Sequence, residues 1–120
     1  MPPERDAATV LDLLLAARRV REFIVGQDFT SFRSDLKTQS AVTLQVLILG
    51  EAAKRLSADF RAQHPEIEWT GMMRMRDKLI HHYEALDPEE VWRAATRDIP
   101  ALATALEPLA PHQPDSRHDP

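Results

Sequence analysis

Apolar positions in this chain recur every three or four residues over long stretches, the repeat of one face of an α-helix. From Asp6 to about Val25, Val10, Leu13, Leu14, Ala17, Val20 and Ile24 share one face, and Arg18, Arg19, Arg21 and Glu22 fall mostly elsewhere. This predicts an amphipathic helix. Gly26 to Ser34 breaks the pattern and reads as a short connection, with Phe29 and Phe32 as anchors and Thr30, Ser31 and Ser34 as caps. A second helix is expected from about Asp35 to Phe60. Val42, Val46, Leu49, Ala53, Leu56 and Phe60 form its stripe, and Ala41, Leu44, Leu47, Ile48 and Ala52 widen it. A helix apolar around so much of its girth needs more than one partner, and the surface around Val46, Leu49 and Leu47 suggests a second copy of the chain. Gly50 costs about 1 kcal/mol relative to alanine inside a helix, so it marks either a tolerated glycine or the close approach of another backbone.

His64-Pro65 ends that helix, because proline lacks a donor and disfavours helical geometry in the residue before it. A third helix is predicted from an N-cap at Thr70 to about Tyr83. Asp87-Pro88-Glu89-Glu90 then sets a capping side chain, a first-turn proline and early acids in the order a helix start prefers. The fourth helix uses Val91, Trp92, Ala95, Ile99, Leu102 and Leu106, and Pro100 should kink or divide it. After Glu107, four prolines in a polar remainder read as a disordered tail. The expected architecture is all-α: one helical domain over residues 1–107, a compact four- to five-helix bundle, and a Pro-rich tail over 108–120.

Composition agrees with helix. A chain of 120 residues supports one core, and 3 glycines with 6% aromatic residues leave little material for strands and tight turns. No cysteine is present, which removes disulfides, thiolate metal sites and cysteine nucleophiles. No long uncharged apolar run occurs, so neither a signal peptide nor a membrane span is expected, and a cytoplasmic location fits. The formal net charge of -4 argues against bulk electrostatic coating of nucleic acid. Any RNA contact must be local, and no DNA partner is expected.

The candidate chemistry lies on the third helix. Met72, Met75, Leu79, Ile80 and Tyr83 occupy one broad side, with Arg76 in its middle. A guanidinium there either pairs with a carboxylate of a neighbouring helix or performs a task. His81 follows by five positions, about 140° round the axis, so one chain does not converge both side chains on one phosphate. Two copies sharing a cleft could. Asp77 precedes His81 by four, the spacing at which a carboxylate can hold an imidazole, or form an ordinary solvated pair. The adjacent His81 and His82 diverge and lack a further ligand at clasping distance, so neither a metal nor another cofactor is expected. Glycine-rich phosphate loops, nucleophile elbows and HExxH motifs are absent.

The run Arg76-Asp77-Lys78-Leu79-Ile80-His81-His82-Tyr83 resembles the Rx4HxY signature of HepT-like proteins of the HEPN superfamily. Further blocks extend the likeness: Gly50-Glu51-Ala52, His64-Pro65-Glu66-Ile67 with Trp69, Asp87 with Val91-Trp92, and Asp98-Ile99-Pro100 with Leu102. The resemblance implies a helical bundle that dimerises so that two motifs line one cleft and cut RNA without a metal. It implies Arg76 and His81 as the catalytic pair and Asp77 as the polar residue after the arginine, a place often held by asparagine in the family. It further implies a toxin-antitoxin pair, in which an MNT-type nucleotidyltransferase antitoxin silences the toxin by attaching AMP to Tyr83. Arg74, Lys78 and His82 are candidates for a local RNA-binding patch. The alternative is a non-catalytic HEPN domain that binds nucleotide or docks a nucleotidyltransferase, since fold does not fix function.

Overall fold

The computed structural model describes residues 4–82 and 87–111, and among these the regular structure is helical, with no strand. Its first element, α1 (Glu4–Phe23), turns Val10, Leu13, Leu14, Ala17 and Val20 inward, as the spacing predicts. The chain leaves α1 through Gly26, whose φ of 79° lies in the left-handed region open to glycine. Asp28 then starts α2 (Phe29–Arg33), so the predicted connection contains a short helix. The reason is local: the Asp28 carboxylate accepts the Ser31 N–H at 2.8 Å, and the Ser31 hydroxyl accepts the Asp28 N–H at 3.1 Å. Phe32 seals this segment onto the core, fully buried, with its ring centroid 5.0 Å from that of Trp92.

Asp35 caps α3 (Leu36–Arg55) by accepting the Thr38 N–H and hydroxyl, which holds its carboxyl below the usual range. All six residues of the predicted stripe, Val42 to Phe60, are buried. The single helix expected to reach Phe60 is nevertheless broken at Leu56-Ser57 and resumes as α4 (Ala58–Gln63). Tertiary structure makes the break. Ser57 caps the Phe60 N–H with its hydroxyl oxygen, while Asp6 of α1, 2% exposed, accepts both the N–H and the hydroxyl proton of Ser57 at 2.9 and 2.7 Å. A helix running through this point would deprive a buried carboxylate of its partners.

Next comes α5 (Trp69–His82), which begins one residue before Thr70, so Thr70 lies inside the first turn and is not the N-cap. Buried Trp69 anchors the start, its indole N–H donating to the His64 carbonyl at 3.0 Å. Asp87 caps α6 (Pro88–Arg93) as predicted, accepting the Glu89 N–H with Pro88 in the first turn. A π-helical turn, Ala94–Asp98, then leads into α7 (Ile99–Leu106). Pro100 divides the predicted fourth helix in this way: it has no N–H to continue the ladder, and the wider turn absorbs the mismatch. One 3-10 turn, Glu107–Leu109, follows, with Leu109 and Ala110 packed against the core; residues 112–120 of the expected tail lie outside the described residues.

Four long elements form the bundle: α1, α3, α5 and the α6–α7 run. Central α3 packs on both α1 and α5. Val46 and Leu49, expected to face a second copy, are instead buried within the chain's own core. The apolar surface that α3 and α5 leave open is carried by Leu36, Leu44 and Ile80. No helix of the described residues is long and apolar enough to cross a membrane.

Candidate active site

The α3–α5 contact is closest at Gly50. A Cβ built there would overlap Arg76 Cβ and lie 2.8 Å from the Met72 carbonyl oxygen and 2.9 Å from Arg76 Cγ. Of the two readings of this glycine, close backbone approach is the one realised. The missing side chain lets the Arg76 stem lie across α3. Its guanidinium thereby comes within reach of the next residue of that helix.

There it meets a carboxylate. Arg76 Nε donates to Glu51 Oε2 at 3.1 Å, one terminal nitrogen donates to the same oxygen, and the other donates to Asp77 Oδ1 at 2.9 Å. Lys54 Nζ donates to that Asp77 oxygen at 2.9 Å. The four side chains balance two positive charges against two negative ones. The Asp77 and Glu51 carboxylates raise the Arg76 pKa above its ordinary value, so the guanidinium stays charged. Lys54 and then Arg76 hold the Asp77 carboxyl below the usual range.

Asp77 therefore does not hold His81 as the i, i+4 spacing suggested. Its carboxylate is drawn toward α3 by two cations, which outcompete one exposed imidazole. His81 and His82 are both exposed at the end of α5, with ring centroids 6.5 Å apart, and neither makes a side-chain hydrogen bond among the described residues. Since α5 is one continuous helix, Arg76 and His81 point about 140° apart, and one chain does not join them.

The remaining candidates separate. Lys78 is held by both oxygens of Glu90 at 2.8 Å, tying α5 to α6. Arg74 is exposed and forms no salt bridge among the described residues. Tyr83 lies outside the described residues. Among the described residues no three His, Asp or Glu side chains cluster as metal ligands would. Sequence reasoning gave Glu51 and Lys54 no role. The signal that could have found them is Arg76 on an apolar face, which calls for a carboxylate, with Gly50 marking where α3 comes close.

Two apolar clefts flank α5, one of about 400 Å³ beside Met72, Met75 and Leu102 and one of about 600 Å³ beside Leu44, Leu79 and Ile80. Neither is lined by Arg76 or His81. Arginine offers five N–H donors, of which Glu51 and Asp77 engage three, so two remain for a phosphate oxygen. His81 is exposed at the end of α5.

The family described as "Ribonuclease HepT-like" matches residues 13–109. A protein of Thermococcus cleftensis named "Probable ribonuclease HepT" is 43% identical over 98 residues, covering 82% of this chain and 89% of that protein. One of Methanocaldococcus jannaschii named "Putative RNase MJ0127" is 37% identical over 100 residues, covering 83% of each. No solved structure matches the chain.

Proposed function

Since the chain belongs to the HepT-like ribonuclease family, we propose that it is a metal-independent ribonuclease whose active site is shared between two copies. The observation that carries this reading is the placement of a charged, held Arg76 and an exposed His81 on one continuous helix, turned apart. A second copy facing α5 supplies the missing convergence. The exposed Leu36, Leu44 and Ile80 beside the larger cleft support such an interface.

Cleavage of RNA by side chains alone has three requirements: a base for the 2′-hydroxyl proton, a cation for the charged phosphorane, and an acid for the departing 5′-oxygen. One His81 from each copy takes the base and acid roles. Arg76, always charged and planar, steadies the phosphorane through its two remaining donors. Asp77 shares in orienting Arg76. Arg74 and His82, exposed and near in sequence, add local attraction for the RNA backbone in an otherwise acidic chain. Lys78 contributes less, being held by Glu90.

The same reading makes the chain the toxin of a toxin-antitoxin pair, silenced when an MNT-type nucleotidyltransferase attaches AMP to Tyr83. That tyrosine is the sole one in the sequence. A phosphate near Arg76 would occupy donors the RNA needs. A second reading rests on the ion pairs: with Glu51 and Asp77 neutralising Arg76, the domain would be a non-catalytic nucleotide-binding or docking partner.

Incubation of RNA with wild type and His81→Ala in EDTA decides between them. Cleavage by wild type alone supports the ribonuclease, and inert wild type supports the docking domain. Co-expression of Tyr83→Phe with a nucleotidyltransferase partner tests regulation: toxicity should persist, whereas rescue without modification would assign inhibition to binding alone.

A further inference from the structure

We infer that Glu51 is a positioning residue for Arg76, setting the guanidinium plane before RNA arrives. The inference rests on the ribonuclease reading above and adds a residue to it. A single oxygen, Glu51 Oε2, accepts from both Nε and a terminal nitrogen of Arg76. Two donors on one side edge of the fork, bound to one point, fix rotation about the last bonds of the side chain. A lone arginine would have to freeze those torsions in each transition state.

The surroundings are built to the same end. Gly50 removes the side chain that would push the Arg76 stem away from α3. Glu51 follows it directly, and Lys54 one turn later holds Asp77 against the other end of the guanidinium at 2.9 Å. Arg76 is thus held by Glu51 from α3 and by Asp77 from α5, with its side chain only 20% exposed. Glu51, 44% exposed, stands at the solvent side of the pair. Its charge has the same sign as RNA, so Glu51 weakens overall attraction for the substrate while improving the geometry of the one cation that meets the phosphorane. Affinity and turnover therefore respond to it in opposite directions.

The test is steady-state cleavage of a short mixed-sequence single-stranded RNA by wild type, Glu51→Ala and Glu51→Gln, with melting temperatures for each. Glu51→Ala should lose about 10- to 100-fold in kcat, with KM unchanged or lower and melting little altered. Glu51→Gln keeps an oxygen acceptor and should recover most of the loss. Unchanged kcat in Glu51→Ala would overturn the inference, and so would a Gln variant as impaired as Ala, which would assign the effect to charge. A second readout does not depend on cleavage: in nitrogen-labelled protein, the Arg76 Nε–H resonance, identified by its absence in Arg76→Lys, should be sharp in wild type and lost to exchange in Glu51→Ala. If wild type cuts no RNA, the ribonuclease reading falls, and this resonance still decides whether Glu51 holds Arg76. An exchange-broadened signal in wild type would show that it does not.

Discussion

Gly50 lies directly beneath the Arg76 side chain, so close that a Cβ at 50 would occupy the space of Arg76 Cβ and press on the Met72 carbonyl at 2.8 Å. Neither obstacle is the free end of a flexible chain, so α5 itself must shift if residue 50 grows. Gly50→Ala should destabilise the fold by about 1 to 3 kcal/mol, the usual cost of overpacking and enough to reverse alanine's higher helix propensity. Denaturant unfolding checks the sign: a more stable variant would refute the close contact.

Arg76→Ala and His81→Ala should each abolish RNA cleavage while the protein stays folded. His81 is exposed and without side-chain hydrogen bonds among the described residues, so its removal leaves no buried group unsatisfied. Its loss should reduce kcat by about 10² to 10⁴-fold, the range for a general acid or base. A smaller reduction in a purified, metal-free assay would take His81 out of the proton-transfer role.

Asp6 predicts a stability effect remote from the site. Its buried carboxylate satisfies the Ser57 N–H and hydroxyl at the corner between α3 and α4. Asp6→Ala leaves those donors without a partner, at a cost of about 1 to 3 kcal/mol. Urea titration should show it, with RNA cleavage at low denaturant unaffected.

The lowered pKa values of Asp77 and Asp35 define an acid limb. A carboxyl whose folded pKa lies below its unfolded value of about 3.9 stabilises the fold above that pH, and the contribution is lost as pH falls through the folded value. Melting temperature should therefore be insensitive to these two groups near neutrality and fall below about pH 4. Asp77→Asn should flatten part of that fall. An unchanged fall would mean that the ion pairs with Lys54 and Arg76 do not form in solution.

Two copies should assemble through the open surface of α3 and α5. Leu44 and Ile80, 53% and 41% exposed, are the positions to change. Sedimentation of wild type should give twice the 13.6 kDa chain mass, and Leu44→Arg with Ile80→Glu should return it to one chain and end cleavage. A monomeric wild type that still cuts RNA would refute the shared site.

Much of this protein was legible in its sequence because helix signals are local. The spacing of Val42, Val46, Leu49 and Ala53 picks out the buried face of α3, and Asp87-Pro88 marks the start of α6 through groups a residue or two apart. The run from Arg76 to His82 was equally plain, since it sits on one unbroken helix. What sequence could not decide depended on groups far apart in the chain. Ser57 breaks a helix because Asp6 lies 51 residues away and must keep its partners. Asp77 turns from His81 toward Lys54, 23 residues upstream, because two fixed cations attract a carboxylate more strongly than one exposed imidazole. Glu51 reached Arg76 only once α3 and α5 packed at Gly50. Local spacing determined which faces existed; packing decided which charges met, because Coulomb and hydrogen-bond energies depend on distance in space and not along the chain.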